Sequence, residues 1–254
     1  MASVVRDIGY GREFQGWYDR LFPDDTLTAL TVETLVSLLP GAGGGALELG
    51  AGTGRVAIPL SRFTPVVAVD SSKEMIQALD VSISKHGANV QSMWADMRDY
   101  ADDEQYAIVY CICGSLSLLL EVEEQQEAMN RAAARLAPGG LLVVETYNRP
   151  AILAMHGDLP RTTYFTKYPE PGTGVQTHST LVPGSDLWEC AHIWFDKDGT
   201  SRVGHEISRL ISPEDVDAYA ANCGLSVVAH WADWNQTPYH EQSGTYVCVY
   251  QRAA

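Results

Sequence analysis

The sequence is poor in basic residues, and this shortage argues against one class of partner. It has 17 Lys and Arg against 32 Asp and Glu, which gives a formal net charge of −15. A surface of this sign repels a polyphosphate chain, so we expect no nucleic-acid partner. A cationic or amine-bearing substrate would be attracted instead. The alternative is that the acidic surface only keeps the protein soluble and indicates nothing about its substrate.

Long apolar runs and paired cysteines are also lacking. There is no run of about eighteen apolar residues of the kind that spans a membrane, and residues 1–7 lack the apolar region of a signal peptide. The five cysteines form no C-x-x-C pair. We therefore expect no membrane partner and a reducing, cytoplasmic location. The sequence does not indicate the oligomeric state.

A glycine-rich turn at residues 46–55 is the most informative stretch. An apolar strand pattern ends in Gly50, Gly52 and Gly54, and an apolar helical pattern follows. Backbone without Cβ atoms can turn sharply and lie close to a ligand, and the start of a helix offers free N–H groups. The dinucleotide pattern G-x-G-x-x-G would require glycine where this chain has Arg55, so we expect no NAD.

Acidic residues follow the next two strands. Asp70 ends the apolar run 65–70, and its two carboxylate oxygens match the two hydroxyls of a ribose. Capping of the following helix is the alternative role. Asp96 and Met97 follow a third strand near residues 89–94. The order of these features predicts a site for a nucleotide-like cofactor at one edge of a sheet.

With Glu48 just before it, the G-x-G-x-G turn resembles the first motif of the class I S-adenosylmethionine (SAM) dependent methyltransferases. The acid-ended second strand and the Asp96–Met97 pair extend the resemblance over roughly residues 8–150, with a looser match near 209–250. The resemblance implies SAM as cofactor and S-adenosylhomocysteine as product. It implies cofactor contacts for Tyr10, Tyr18, Glu48, Gly50, Gly52, Gly54, Asp70, Ser71, Met75, Asp96, Met97 and Cys113.

Several of these residues have a second possible role. Asp96 would accept a hydrogen bond from the adenine amine, and Met75 would pack on the adenine or fill the core. Cys113 would line the sulfonium end or act as a small buried apolar group. Tyr10 and Tyr18 resemble the N-terminal aromatic residues with which small-molecule N-methyltransferases close over SAM. Otherwise they anchor their helix on the sheet.

Alternating strands and helices predict an α/β fold: a Rossmann-like, mostly parallel seven-stranded sheet with helices on both faces and an antiparallel β insert that caps the active site. The predicted strands are 46–49, 66–70, 89–94, 106–113, 141–147, 225–231 and 244–251, and the predicted helices are 8–20, 26–39, 72–84, 122–136 and one that starts at 212. We divide the chain into a SAM-binding core with an N-terminal helical cap (1–160), the insert (161–211) and a segment that completes the core (212–254).

The insert has period-two texture broken by turn residues, which predicts three or four antiparallel strands. In the strand 187–195, alternation places the Trp and His side chains on one face. That face would enclose a flat ring or an ammonium group, or else it packs against the main sheet. The residues predicted to bind substrate are Trp188, His192, Trp194 and Arg209.

Substrate-side chemistry is sparse, as methyl transfer from a sulfonium mainly requires alignment. Tyr147 and Asn148 follow the fifth strand at the active edge and are the predicted catalytic residues. The segments after strands four and five read Cys-Gly-Ser and Thr-Tyr-Asn, without carboxylates, so we expect no metal. The Asp/Asn-Pro-Pro-Tyr/Phe motif of base-modifying enzymes is absent after strand four, which also argues against a nucleic-acid substrate.

The sequence therefore predicts a SAM-dependent methyltransferase that acts on a small molecule or a peptide N-terminus. N-methylation in secondary metabolism is favoured because the chain resembles the sugar-amine and glycine-type N-methyltransferases. One alternative is an O- or C-methyltransferase of a natural product. Another is a SAM-binding cyclase or regulatory protein that does not methylate.

Overall fold

A computed structural model describes residues 5–23, 25–40 and 44–253. The strands in this part of the chain are β1 (Gly45–Leu49), β2 (Val66–Asp70), β3 (Val90–Trp94), β4 (Tyr106–Cys111), β5 (Leu136–Tyr147), β6 (Arg161–Lys167), β7 (Gly174–Leu181), β8 (Leu187–Phe195), β9 (Ser201–Arg209), β10 (Leu225–Trp231) and β11 (Thr245–Arg252). The helices are α1 (Tyr10–Glu13), α2 (Tyr18–Leu21), α3 (Thr26–Leu38), α4 (Ala57–Leu60), α5 (Lys73–His86), α6 (Val122–Ala134), α7 (Arg149–His156) and α8 (Pro213–Asn222).

Seven strands form the main sheet in the order β10-β11-β5-β4-β1-β2-β3. Strands β1 to β5 are parallel to one another, whereas β11 runs antiparallel to both β5 and β10. The remaining strands form an antiparallel sheet in the order β6-β7-β8-β9. The predicted Rossmann-like α/β fold with an antiparallel insert is confirmed. The insert sheet spans Arg161–Arg209, while the functional division of the chain at residues 160 and 211 stays a prediction.

The main sheet is buried on both faces, which explains the nearly continuous apolar runs of its strands. Leu47, Val109 and Val144 lie in the core cluster on one face, and Ala46 and Ile108 lie in the cluster on the other. All five side chains are 0% exposed. Because the carboxyl ends of parallel strands meet at one edge, this core fixes the loops after β1, β2, β4 and β5 beside one another.

Local signals account for several helix boundaries. Ser72 caps α5 by accepting a hydrogen bond from the Met75 N–H, and a capping box between Ser212 and Asp215 starts α8. None of the described helices is long and apolar enough to cross a membrane. The cytoplasmic location stays a prediction.

Four element boundaries differ from the predictions. The predicted helix 8–20 is two single turns, α1 and α2, separated by Gly16 at φ 77. The helix expected directly after the glycine turn is only the single turn α4. Strand β4 ends at Cys111, and β5 begins at Leu136, so the Pro-Gly-Gly segment lies inside a strand and not between two elements. The pairing of β4 with β5 shifts register in this region, and Gly139 there has φ 76.

Candidate active site

The glycine turn follows β1 and has the backbone that its sequence requires. Gly50, Gly52 and Gly54 have φ values of 78, 54 and 87, a region that residues with a Cβ rarely adopt. A Cβ on Gly50 would lie 2.6 Å from the Cβ of Ser115, and one on Gly54 would lie 2.4 Å from Leu79. Packing against Ser115 and against α5 thus requires Gly50 and Gly54, while the backbone of Gly50 and Gly52 borders an open space.

That space is a cavity at the carboxyl edge of the sheet, here called the inner cavity, with about 720 Å³ of volume free of atoms. Ten of the twelve residues predicted to contact the cofactor line it: Tyr10, Tyr18, Gly50, Gly52, Asp70, Ser71, Met75, Asp96, Met97 and Cys113. Glu48 and Gly54 do not line it. The fold therefore gathers residues from five segments of the sequence around one space. Their contact with a cofactor stays a prediction.

Asp70 closes the turn from the end of β2. Its Oδ2 accepts the Gly52 N–H and its Oδ1 accepts the Ser72 N–H, both at 2.8 Å. Burial raises the pKa of Asp70, although these backbone hydrogen bonds oppose the shift. Each carboxylate oxygen has a further lone pair, so both remain able to accept a hydroxyl. The helix cap itself is Ser72, so capping does not occupy Asp70 as the sequence had allowed.

Asp96 is held in an ion pair that the sequence did not predict. Arg98, itself 4% exposed, donates its Nε and its backbone N–H to Oδ1 of Asp96, at 2.8 and 2.9 Å. Burial acts to raise the pKa of Asp96, but the hydrogen bonds and charges of Arg98 and Arg6 lower it overall. Its predicted hydrogen bond to adenine would have to share a carboxylate already paired with arginine.

The N-terminal segment covers the inner cavity. Tyr10 and Tyr18 approach edge to face with ring centroids 6.2 Å apart, and burial raises the pKa of both. Gly11 fits against α5 so closely that a Cβ there would lie 2.0 Å from the Ser72 hydroxyl. Arg6 joins the ion pairs of Asp96. The segment is therefore fixed to the core. Both tyrosines line the cavity and also pack against the cluster of Phe14 and Trp17, so a cofactor contact and an anchoring role are both compatible with their positions.

A buried charged group lies behind the glycine turn, and its members are distant in sequence. Arg55 donates to the Thr28 hydroxyl and to the Cys113 sulfur, while its buried Nε has no hydrogen-bond partner among the described residues. Glu145 accepts the Cys113 N–H, and burial raises its pKa. Burial also raises the pKa of Glu48 to about 8, against a hydrogen bond from Tyr110. The role of Arg55 was missed, since a position in a sequence motif does not show which way the side chain turns.

Cys113 is strained where it meets the cavity. It has φ 55, a left-handed conformation that is unusual for a residue with a side chain. Its side chain is exposed, but the surrounding protein, followed by the nearby Glu145 charge, raises the pKa of its thiol to about 12. The thiol therefore stays protonated at neutral pH and acts as a small neutral wall of the cavity. Strain of this kind is concentrated at functional sites.

The predicted catalytic role of Asn148 is wrong. Its side chain is 0% exposed. Its Nδ2 donates to the carbonyl oxygens of Glu241 and Ser243 at 2.9 and 2.7 Å, and its Oδ1 accepts from Tyr239 at 3.2 Å. These bonds tie the loop before β11 to the end of β5. Both polar atoms are therefore engaged, which leaves Asn148 a structural role.

Tyr147 lies at the active edge, as expected from its position after β5. Its ring packs edge to face on Trp188 with centroids 5.0 Å apart, and burial raises its pKa well above the ordinary value. A phenol in this state is a poor base. We retain Tyr147 as a candidate contact for the substrate, and its predicted catalytic role is not tested by the structure.

The two tryptophans of β8 pack as core. Trp188, 3% exposed, donates its Nε1–H to Ser179 at 2.6 Å and packs with Tyr147. Trp194, 4% exposed, packs with Phe14 and Trp17 of the N-terminal segment. Neither lines the inner cavity. The predicted substrate contact of both is therefore wrong, and the packing alternative holds.

The other two predicted substrate residues have different surroundings. Arg209 donates its Nε to the Leu120 carbonyl at 2.6 Å and pairs with Asp186 at 3.4 Å, so it connects the insert to the core instead of facing a ligand. His192 lies between the two tryptophans. Its Nδ1 lies 3.0 Å from the Thr177 hydroxyl and its Nε2 lies 3.1 Å from Glu206. Sequence alternation found His192 but not its partner, because Glu206 comes from the neighbouring strand.

Folding also brings potential metal ligands together. Cys190, His192 and Glu206 offer ligand atoms that all lie within 4.8 Å of one another. The sequence argument against a metal considered only the segments after β4 and β5 and missed this cluster on the insert. The absence of a metal stays a prediction.

Comparison with known proteins shows that this chain is similar to methyltransferases. Residues 46–140 match a family model described as a methyltransferase domain. A curated relative, the ubiquinone biosynthesis O-methyltransferase of Rickettsia typhi, is 26% identical over 104 residues, which are 41% of each chain. The matched region thus spans about two fifths of that relative.

Solved structures match over nearly the whole chain. The CcbJ methyltransferase from Streptomyces caelestis superposes with a TM-score of 0.85 and 26% identity, covering 98% of this chain and 100% of that one. CalS10, a SAM-bound amino pentose methyltransferase from Micromonospora echinaspora, superposes with a TM-score of 0.69 and 18% identity, covering 93% and 96% of the two chains. The second likeness shows a shared fold.

Proposed function

We propose that this chain transfers a methyl group from SAM to the nitrogen of a small molecule or a peptide end. Residues 46–140 match a methyltransferase family model, and the fold is Rossmann-like. The observation that carries the proposal is the inner cavity. Ten residues predicted from sequence motifs to contact SAM meet there around one space.

The polar groups of the cavity suit this cofactor. Asp70 offers two oxygens to ribose hydroxyls, and the backbone of Gly50 and Gly52 lines the cavity beside it. When bound, SAM would supply a methyl group on a sulfonium. A nitrogen lone pair would attack the methyl carbon in line, and the C–S electron pair would return to sulfur. The chain has to hold the two reactants aligned and exclude water, which Tyr10, Tyr18 and the insert are placed to do.

The charge of a second cavity favours an amine. This outer cavity, of about 1580 Å³, adjoins the inner one, and Ile8, Tyr10 and Leu118 line both. Its lining contains one arginine, Arg12, and the carboxylates of Glu13, Glu121, Glu124, Glu189 and Glu206. An excess of carboxylates attracts cationic acceptors and concentrates them near the cofactor. Likeness to an amino pentose methyltransferase is consistent with a sugar amine of a natural product.

The test is turnover with matched acceptors. The full chain is incubated with SAM and a panel of amino sugars and dipeptides, each beside its hydroxyl counterpart, and S-adenosylhomocysteine and methylated products are followed by mass spectrometry. We expect methylation at nitrogen only. Turnover of the hydroxyl compounds alone would favour the O-methyltransferase alternative. SAM binding without product from any acceptor would favour a regulatory protein or a cyclase.

A further inference from the structure

The inner face of the insert sheet is divided into two apolar ends and a polar centre. Trp188 lies at one end, packed on Tyr147, and Trp194 lies at the other, packed on Phe14. Strand register places the centre between them, because His192 pairs with Thr177 on β7 and with Gly204 on β9. The centre consists of Tyr164, Thr177, Cys190, His192 and Glu206.

Glu206 and His192 form the core of this polar centre. Their side chains are 9% and 13% exposed, and Nε2 of His192 lies 3.1 Å from Oε1 of Glu206. The centroid of the His192 ring lies 6.0 Å from the centroid of the Phe14 ring. Because Thr177 holds Nδ1 at 3.0 Å, the imidazole is fixed at both nitrogens and in turn fixes the carboxylate.

The Glu206 carboxylate faces the cofactor side of the site. After burial, its charge is the largest cause that raises the pKa of both Tyr10 and Tyr147. Tyr10 lines both cavities, and Glu206 lines the outer one. Glu206 thus lines the space open to an acceptor, near Tyr10, which also borders the space predicted for SAM.

This carboxylate lacks a cationic side chain as partner. No lysine or arginine of the described chain forms an ion pair with it, and His192 is its hydrogen-bond partner through Oε1 alone. A nearly buried carboxylate is costly unless a cation or several donors compensate it. A ligand that brings its own cation would supply what the protein lacks.

We propose that Glu206 anchors the ammonium group of the acceptor, and that His192 is the residue that positions Glu206. This inference rests on the proposed function. A protonated amine would donate one N–H to Oε2 of Glu206. Loss of a proton to water frees the nitrogen lone pair. The lone pair then forms the N–C bond, and the C–S bond breaks with its electrons retained by sulfur.

The experiment uses two probes of equal shape, benzylammonium and benzyl alcohol. Their ring suits the apolar side chains of Leu118 and Leu120, which line the same cavity as Glu206. Affinity is measured by calorimetry on the full chain loaded with S-adenosylhomocysteine. We expect the ammonium to bind at least about tenfold more tightly, as charge-assisted hydrogen bonds do. Glu206→Gln should abolish this preference, and Glu33→Gln, on an exposed carboxylate of α3 that lines neither cavity, should keep it.

His192 needs a readout that a purely structural residue would not move. His192→Ala should weaken the ammonium preference, and His192→Gln, whose amide can still donate to Glu206, should restore it at an unchanged thermal midpoint. Loss in both variants together with a lowered midpoint would overturn the positioning role.

Other outcomes separate this proposal from the function on which it rests. A Glu206→Gln variant that keeps the full preference, or a wild-type chain without one, would overturn the anchor. Stoichiometric zinc in the purified chain that is lost in Cys190→Ser would also overturn it, since Glu206 would then be a metal ligand. Failure of the chain to bind SAM contradicts the proposed function while leaving the ammonium preference to decide the anchor.

Discussion

The cofactor side of the site and the insert that covers it differ in how far position in the sequence predicted their contacts. On the cofactor side, ten of twelve predicted residues line one cavity. On the insert, both predicted tryptophans are core, and Arg209 holds a loop. The difference arises because a loop after a parallel strand always lies at the carboxyl edge of the sheet. The inner face of a small sheet, in contrast, can contact either protein or ligand.

The ends and the centre of the inner face of the insert sheet have different roles. Its two ends carry large apolar side chains and hold the sheet on the core, while its centre carries Cys190, His192 and Glu206. Period-two alternation predicts which residues share this face. It does not predict which of them lie at an end, because that depends on what the rest of the chain places opposite.

Replacing Trp188 by Ala tests the core role with the largest expected effect. The ring is 3% exposed and packs with Tyr147, so its loss should lower the free energy of unfolding by about 3–5 kcal/mol. Denaturant unfolding measures this loss. Val203→Ala, on the exposed outer face of β9, is the control and should change stability by no more than about 0.5 kcal/mol. A stable Trp188→Ala chain with impaired acceptor binding would return Trp188 to the substrate site.

Replacing Asp70 by Ala tests the other side of the comparison. Two hydrogen bonds from a ribose to a charged acceptor would be lost, each worth about 1.5–3 kcal/mol. We expect the Kd for SAM to rise at least about tenfold, measured by calorimetry. Asp80→Ala, on an exposed position of α5, is the matched control and should leave the Kd unchanged. The same affinity in both variants would remove Asp70 from the cofactor site.

Replacing Glu48 by Gln should have the smallest effect, visible as a pH dependence. In the folded chain the pKa of Glu48 is about 8, above the value of an exposed glutamate, so folding favours the protonated form. This contribution to stability is complete below the unfolded pKa of about 4.3. It is lost as the pH rises towards 8. Glu48→Gln should therefore flatten the fall of Tm between pH 5 and pH 8.

The control for this pH dependence is Glu33→Gln, an exposed glutamate of α3. It should follow the wild-type curve. The two variants should differ in slope, with the Tm of Glu48→Gln falling less steeply than that of Glu33→Gln between pH 5 and pH 8. Parallel curves for both variants would mean that Glu48 is ionised in the folded chain, paired with Arg55.

Most strands of the main sheet could be predicted because both of their faces are buried. The strand β2 has the predicted bounds 66–70. The edge strand β10, which is mostly exposed or half-buried, also has its predicted bounds, 225–231. The helix start at Ser212 was also correct, since its capping signals are local. The boundaries between α6 and β5 were wrong because Pro138 and Gly139 suggest a turn, while pairing with β4 draws them into the strand.

The sequence by itself determined the glycine turn, the order of strands and the acids that follow β2 and β3, because these depend on backbone conformation and on chain direction. Only the tertiary structure decided that Asn148 binds a loop, that Asp96 is paired with Arg98 and that His192 meets Glu206. Those contacts join residues that are close in space but not adjacent along the chain. Hydrogen bonding and charge pairing depend on distances of a few ångströms, and only the packed fold sets such distances.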